Sequence, residues 1–134
     1  WLCGGATLRI SKQDNIIVLP VLLGGLAGEV QIDMALDTGA TFTIIPWNIA
    51  QRLGYDPAVS GKRVNIVTAS TTEVVPLIEL EYLDALGARV RGVEAACHDL
   101  PPAIGVQGLL GLNFLKGCNL SIRFKDELLE LADP

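Results

Sequence analysis

Leu36-Asp37-Thr38-Gly39-Ala40-Thr41-Phe42-Thr43-Ile44-Ile45-Pro46 is the stretch that decides the fold. A carboxyl placed among Ala35, Leu36 and Ala40 is costly to bury unless a donor or a shared charge compensates it, which marks Asp37 as a working residue. Taken alone, Asp-Thr-Gly is ordinary turn chemistry, because Asp and Thr before Gly favour turns. The setting is less ordinary. Upstream, Gln31, Asp33 and Ala35 alternate with Ile32, Met34 and Leu36, the two-residue period of a half-buried strand. Downstream, Thr43-Ile44-Ile45-Pro46 is apolar again, so the acid falls in a turn between two buried segments.

Working outward, Ile16 to Leu23 and Gly28 to Leu36 read as a hairpin turned at Gly24-Gly25. Pro46 to Leu53, opened by proline and closed by Gly54, has the punctuation of a short helix. Lys62 to Thr68 and Glu73 to Tyr82 read as a second hairpin, with its tip around Ala69-Ser70-Thr71-Thr72. Gly87-Ala88-Arg89 turns the chain into a strand over Val90 to Cys97. Leu109 to Leu115 holds two branched apolar residues, a glycine and a short helix, and Leu120 to Phe124 with Leu128 to Leu131 forms a last pair of strands. Many short strands with frequent turns predict a small, mostly antiparallel barrel-like fold.

The composition excludes several classes. The chain has 134 residues, half of them hydrophobic and 19% charged, which suits one domain with a core of its own. A net charge of -5, with ten scattered Lys and Arg, argues against a nucleic-acid partner. The longest uncharged run, Asn15 to Gly28, is broken by Pro20 and Gly24-Gly25 and is too short to span a bilayer, so no stable membrane insertion is expected. The chain begins at Trp1, so a trimmed or processed product is open and the compartment is not readable. Three cysteines, Cys3, Cys97 and Cys118, favour free thiols or one incidental bridge over a disulfide framework. Cys97, His98 and Cys118 lack zinc-ligand spacing, and neither a metal nor another cofactor is expected. His98 is the only histidine, and no serine or cysteine sits in a Gly-x-Ser-x-Gly elbow; an exposed place before Leu100-Pro101-Pro102 is expected for it.

Asp37-Thr38-Gly39, followed in order by Val67-Thr68-Ala69-Ser70 and by Leu109-Leu110-Gly111, resembles the retropepsin-like aspartic proteases, single-lobe relatives of retroviral protease. The likeness runs from about Asn15 to Leu131. It implies a mostly β acid-protease barrel of antiparallel strands with a psi-shaped loop and one or two short helices. Residues 15–134 would be the protease domain, and residues 1–14 an N-terminal extension or interface strand. The implied activity is that of an aspartic endopeptidase acting on peptide or protein substrates. Pepsin-like enzymes carry two Asp-Thr/Ser-Gly motifs on two lobes, whereas this chain has one, so a complete dyad requires a homodimer.

The resemblance also implies roles residue by residue. Asp37, Thr38 and Gly39 would be catalytic, with Thr38 bracing the opposite chain's turn and Gly39 admitting close backbone approach. Ala40, Val67, Thr68, Ala69 and Ser70 would line the substrate, the last four as a flap that pairs with an extended peptide. Leu109, Leu110 and Gly111 would be the psi-loop that packs beside the acid. Pocket walls are expected near Val75, Ile104 and Phe114. Two departures stand out: the flap tip has no glycine between Gly61 and Gly87, and Thr41 and Leu112 replace both halves of an acid-arginine pair found in viral members. Losing both leaves no stranded charge, and Asn113 matches the family's asparagine. A catalytically dormant peptide-binding or dimerisation module on the same fold is the alternative reading. An unrelated barrel in which Asp-Thr-Gly is only a turn is a third.

Overall fold

The computed structural model describes residues 7–10, 15–68 and 70–132. After β1 (Thr7–Arg9), the first long alternation folds into a hairpin of β2 (Val18–Gly25) and β3 (Gly28–Leu36). Leu19 lies opposite Met34 and Val21 opposite Ile32, so the inward positions of both strands bury together. Each such aliphatic side chain contributes about 1.5–3 kcal/mol when fully withdrawn from water.

The turn of this hairpin is at Leu26 and Ala27, not at Gly24-Gly25 as the sequence suggests. Both glycines remain in the ladder, with Gly24 opposite Glu29 and Gly25 opposite Gly28. They serve close packing: a Cβ on Gly24 would lie 2.3 Å from the Tyr82 ring, and one on Gly25 would lie 2.6 Å from Leu53 Cβ.

β4 (Thr43–Ile45) leads through Pro46 into α1 (Trp47–Arg52), whose Ile49 and Ala50 are buried. Gly54, at φ +93°, ends the helix, and the following Tyr55 N–H donates to Ala50 O at 3.1 Å. The second hairpin pairs β5 (Lys62–Val67) with β6 (Thr72–Glu79). The strand read through to Tyr82 breaks at Leu80-Glu81, and β7 (Tyr82–Ala85) turns away to pair with β2. Likewise Val90 to Cys97 divides into β8 (Ala88–Arg91) and β9 (Glu94–Cys97), split where Gly92 takes φ +66°. β10 (Gly108–Leu110), α2 (Leu112–Leu115), β11 (Asn119–Arg123) and β12 (Leu128–Ala132) complete the chain.

Nine strands form one sheet in the order β5-β6-β9-β4-β10-β3-β2-β7-β8, and β1-β12-β11 form a three-stranded second sheet. Part of the N-terminal segment is therefore paired inside its own chain, Thr7 opposite Glu130 and Arg9 opposite Leu128. Leu129 and Leu131 of β12 join Leu110, Phe114 and the β2–β3 side chains in the main core. The order places β10 between β3 and β4, which are neighbours in sequence. It runs parallel to β3, Leu110 opposite Leu36, and antiparallel to β4, Leu109 opposite Ile44. That threading is the psi-shaped loop, and the architecture is the mostly β, retropepsin-like fold.

Candidate active site

Asp37 stands where β3 ends, and β10 holds it there. Its backbone N–H donates to Leu110 O at 3.0 Å, extending the parallel ladder one residue past Leu36. The turn closes on itself: Gly39 N–H donates to Asp37 Oδ1 at 2.9 Å, and Ala40 N–H to Asp37 O at 3.2 Å. The carboxyl is half-buried, with one oxygen engaged in this way. A Cβ on Gly39 would sit 3.2 Å from Asp37 Oδ1, a tight contact that any side chain there would have to relieve by moving the acid. Thr38 is exposed, and its hydroxyl has no partner among the described residues.

A buried polar knot fixes the turn from below. Thr43 is fully buried; its N–H and its hydroxyl both donate to Asn113 Oδ1, at 2.8 and 2.9 Å. The Thr43 hydroxyl oxygen in turn accepts from Gly111 N–H at 3.2 Å, and Asn113 Nδ2 donates to Glu94 O. Leu112 N–H donates to Ala40 O at 2.8 Å and Asn113 N–H to Thr41 O at 3.3 Å. The two positions that lack the viral ion pair are thus tied through backbone bonds, with Thr41 exposed and Leu112 half-buried. Gly111 permits the close crossing, because a Cβ there would lie 2.6 Å from Phe42 backbone atoms. Sequence reasoning noted Asn113 but missed Thr43, whose signal was a lone hydroxyl leading an otherwise aliphatic strand.

Over the acid, the β5–β6 hairpin forms one wall of a groove. A hollow of about 200 Å³ is lined by Asp37, Gly39, Ala40, Asn65, Ile66 and Val67, among others. A second, of about 650 Å³, shares Ile44, Ile66, Val67 and Leu109 with the first and extends to the Pro101-Pro102 loop. Of the residues expected to touch substrate, Ala40 faces the first hollow, Thr68 and Ser70 the second, and Val67 both. Ala69 lies outside the described residues. At the tip, Thr68 N–H and hydroxyl donate to Thr71 O at 2.7 and 2.9 Å, and Thr71 N–H donates to Thr68 Oγ1 at 3.1 Å. These bonds occupy the tip where viral members use glycine.

Three expectations need correction. Phe114 is 0% exposed and Val75 is buried, so both are core, and of the expected pocket walls Ile104 alone faces the groove. His98 is half-buried, with Nε2 3.7 Å from Glu73 Oε2 on the β5–β6 hairpin. Its neighbour Asp99 accepts from Trp47 N–H at 3.0 Å. No helix of the described residues is long and apolar enough to cross a membrane, and no group of three or more His, Cys, Asp or Glu among them could hold a metal ion.

A psi-loop that carries Asp-Thr-Gly to the mouth of a groove, on a single lobe, defines the class of the retropepsin-like aspartic proteases. Residues 24–117 match the gag-polyprotein putative aspartyl protease family, and the chain belongs to that family. Its fold is similar to the crystal structure of a retropepsin-like aspartic protease from Rickettsia conorii, with a TM-score of 0.74 at 21% identity. The match covers 98% of this chain and 92% of that one. A search of curated proteins finds no match.

Proposed function

We infer that this protein is an aspartic endopeptidase whose catalytic unit is a homodimer, with Asp37 supplied by each subunit. The observation that carries the reading is Asp37 itself, gripped at backbone and carboxyl by the psi-loop and its own turn while facing a groove fit for an extended chain. One carboxyl cannot both accept and donate a proton in the same step. Two brought within a few ångströms hold one proton between them, because ionising both is costly. The ionised member takes a proton from a water, whose oxygen attacks the scissile carbonyl carbon. The protonated member gives its proton to the carbonyl oxygen, producing a neutral gem-diol. Collapse of that diol breaks the C–N bond and transfers a proton to the departing amine.

In this reading the Thr38 hydroxyl, without a partner among the described residues, braces the second subunit's turn, and Gly39 keeps space beside the acid. Val67, Thr68, Ala69 and Ser70 cover the substrate, whose backbone pairs with the hairpin edge. Leu109, Leu110 and Gly111 keep the acid in place. The paired backbone at Ala40–Thr41 and Leu112–Asn113 supports a turn that holds its shape without the viral ion pair.

The test is cleavage of an unstructured protein such as casein at mildly acidic pH. Wild type is expected to cut it, to be blocked by statine-type inhibitors and to be indifferent to chelators. Asp37→Asn is expected to fold and dimerise yet lose roughly 10³-fold or more of the activity. Equal proteolysis by both proteins would remove Asp37 from the mechanism. A dimer without proteolysis in either would favour the peptide-binding module.

A further inference from the structure

The larger hollow carries a feature the proposed chemistry does not use. Ile66 and Glu73 are cross-strand partners in the β5–β6 hairpin, so their side chains share a face. On that face Ile66 and Val75 are buried, Lys62 lies at the far end paired with Glu94, and at the tip end Glu73 sets its carboxylate 3.7 Å from His98 Nε2. The walls are otherwise largely aliphatic, with Ile44, Ile66, Leu100, Ile104 and Leu109 among them, and Asp99 adds a second carboxylate. No lysine or arginine lines the hollow among the described residues. The Glu73 side chain is 45% exposed, so its carboxylate contributes nothing to the core.

We propose that Glu73 is a specificity-determining residue, and that the larger hollow, which shares Ile44, Ile66, Val67 and Leu109 with the one Asp37 lines, takes a lysine or arginine side chain of the bound peptide. The aliphatic walls accept the methylene stem, and the cationic tip reaches the Glu73 carboxylate, whose 3.7 Å contact with His98 leaves room for a further donor. Asp99, already accepting from Trp47 N–H, adds negative potential. Charge complementarity selects the occupant: an acidic side chain would meet two carboxylates, and a purely apolar one would strip water from Glu73 without replacing its bonds. Placing this pocket beside a cleavage site rests on the endopeptidase reading, but the binding preference does not.

The experiment measures binding to the non-cleaving Asp37→Asn protein, at near-neutral pH and low salt. The probes are peptides that carry lysine, norleucine or glutamate at each central position in turn. At one position lysine is expected to bind about tenfold more tightly than norleucine, the size of a charge-assisted hydrogen bond at a partly exposed site. Adding Glu73→Gln should bring that ratio below about threefold, Glu73→Lys should turn the preference toward glutamate, and salt should weaken it. Lysine and norleucine binding equally at every position, no binding of any peptide, or a lysine preference that survives Glu73→Gln would overturn the proposal. Lysine-selective binding together with a wild-type protein that cleaves none of the peptides would leave the pocket standing and remove the endopeptidase reading instead.

Discussion

The psi-loop and the flap hairpin face each other across the groove, and they are built on opposite terms. Around Asp37, β10 is bonded on both sides, Thr43 and Asn113 satisfy each other in a buried knot, and Gly111 crosses Phe42 with no space for a methyl group. Across the groove, Val67 is 85% exposed, Val74 is 64% exposed, and Thr68 and Thr71 bond to each other across the tip. In the endopeptidase reading, the contrast separates what must not move from what must. A reacting acid has to be held to a fraction of an ångström, whereas a cover has to open for a chain to enter.

Breaking the rigid side should cost most. Gly111→Ala sets a methyl against backbone atoms 2.6 Å away that cannot swing aside, and should destabilise the fold by about 3 kcal/mol, read as a lowered urea midpoint. Asn113→Ala comes next. It strips the acceptor from the Thr43 N–H and hydroxyl and the donor from Glu94 O, for a loss of about 2 kcal/mol in the same assay. A milder effect comes from pH. Cys97 pairs with Ile45 beside the knot as a buried free thiol, and burial pushes it from the ordinary 9.0 up to about 11. Above pH 9 the unfolded chain loses that proton first. Stability should therefore be intact below pH 9 and fall toward pH 11, by on the order of 2 kcal/mol, and Cys97→Ala should flatten part of that slope.

The smallest effect belongs to the flap. Thr68→Ala removes hydroxyl bonds that are exposed to water, so stability should change by only about 0.5 kcal/mol. Amide exchange at Thr71 and Thr72 should nonetheless accelerate, while exchange at Asp37 and Gly111 stays put. Uniform acceleration across both regions would erase the distinction between them.

Much of the rigid half was legible in the sequence. Asp37 between apolar segments and the alternation of β3 signal themselves by local chemistry, whereas Leu109-Leu110-Gly111 was legible as a psi-loop through the family resemblance. What escaped depends on distant partners. Gly24 and Gly25 look like a turn because nothing nearby shows that Tyr82 and Leu53 will press on them. The breaks at Leu80-Glu81 and Gly92 interrupt runs whose patterning is continuous, and they arise because the two halves pair with different strands. His98 read as exposed because Glu73, its neighbour in space, lies 25 positions away. The Thr43–Asn113 bond spans 70 positions and left only a single hydroxyl as its trace.

The central claim, one working site made from two Asp37 residues, is tested most directly by subunit mixing. Wild type and Asp37→Asn are combined at fixed total concentration, allowed to exchange subunits, and assayed for peptide cleavage. A shared dyad predicts activity that follows the square of the wild-type fraction, leaving about a quarter at an equal mixture. Activity that falls only in proportion, to about half, would mean that each chain works alone and would contradict the account.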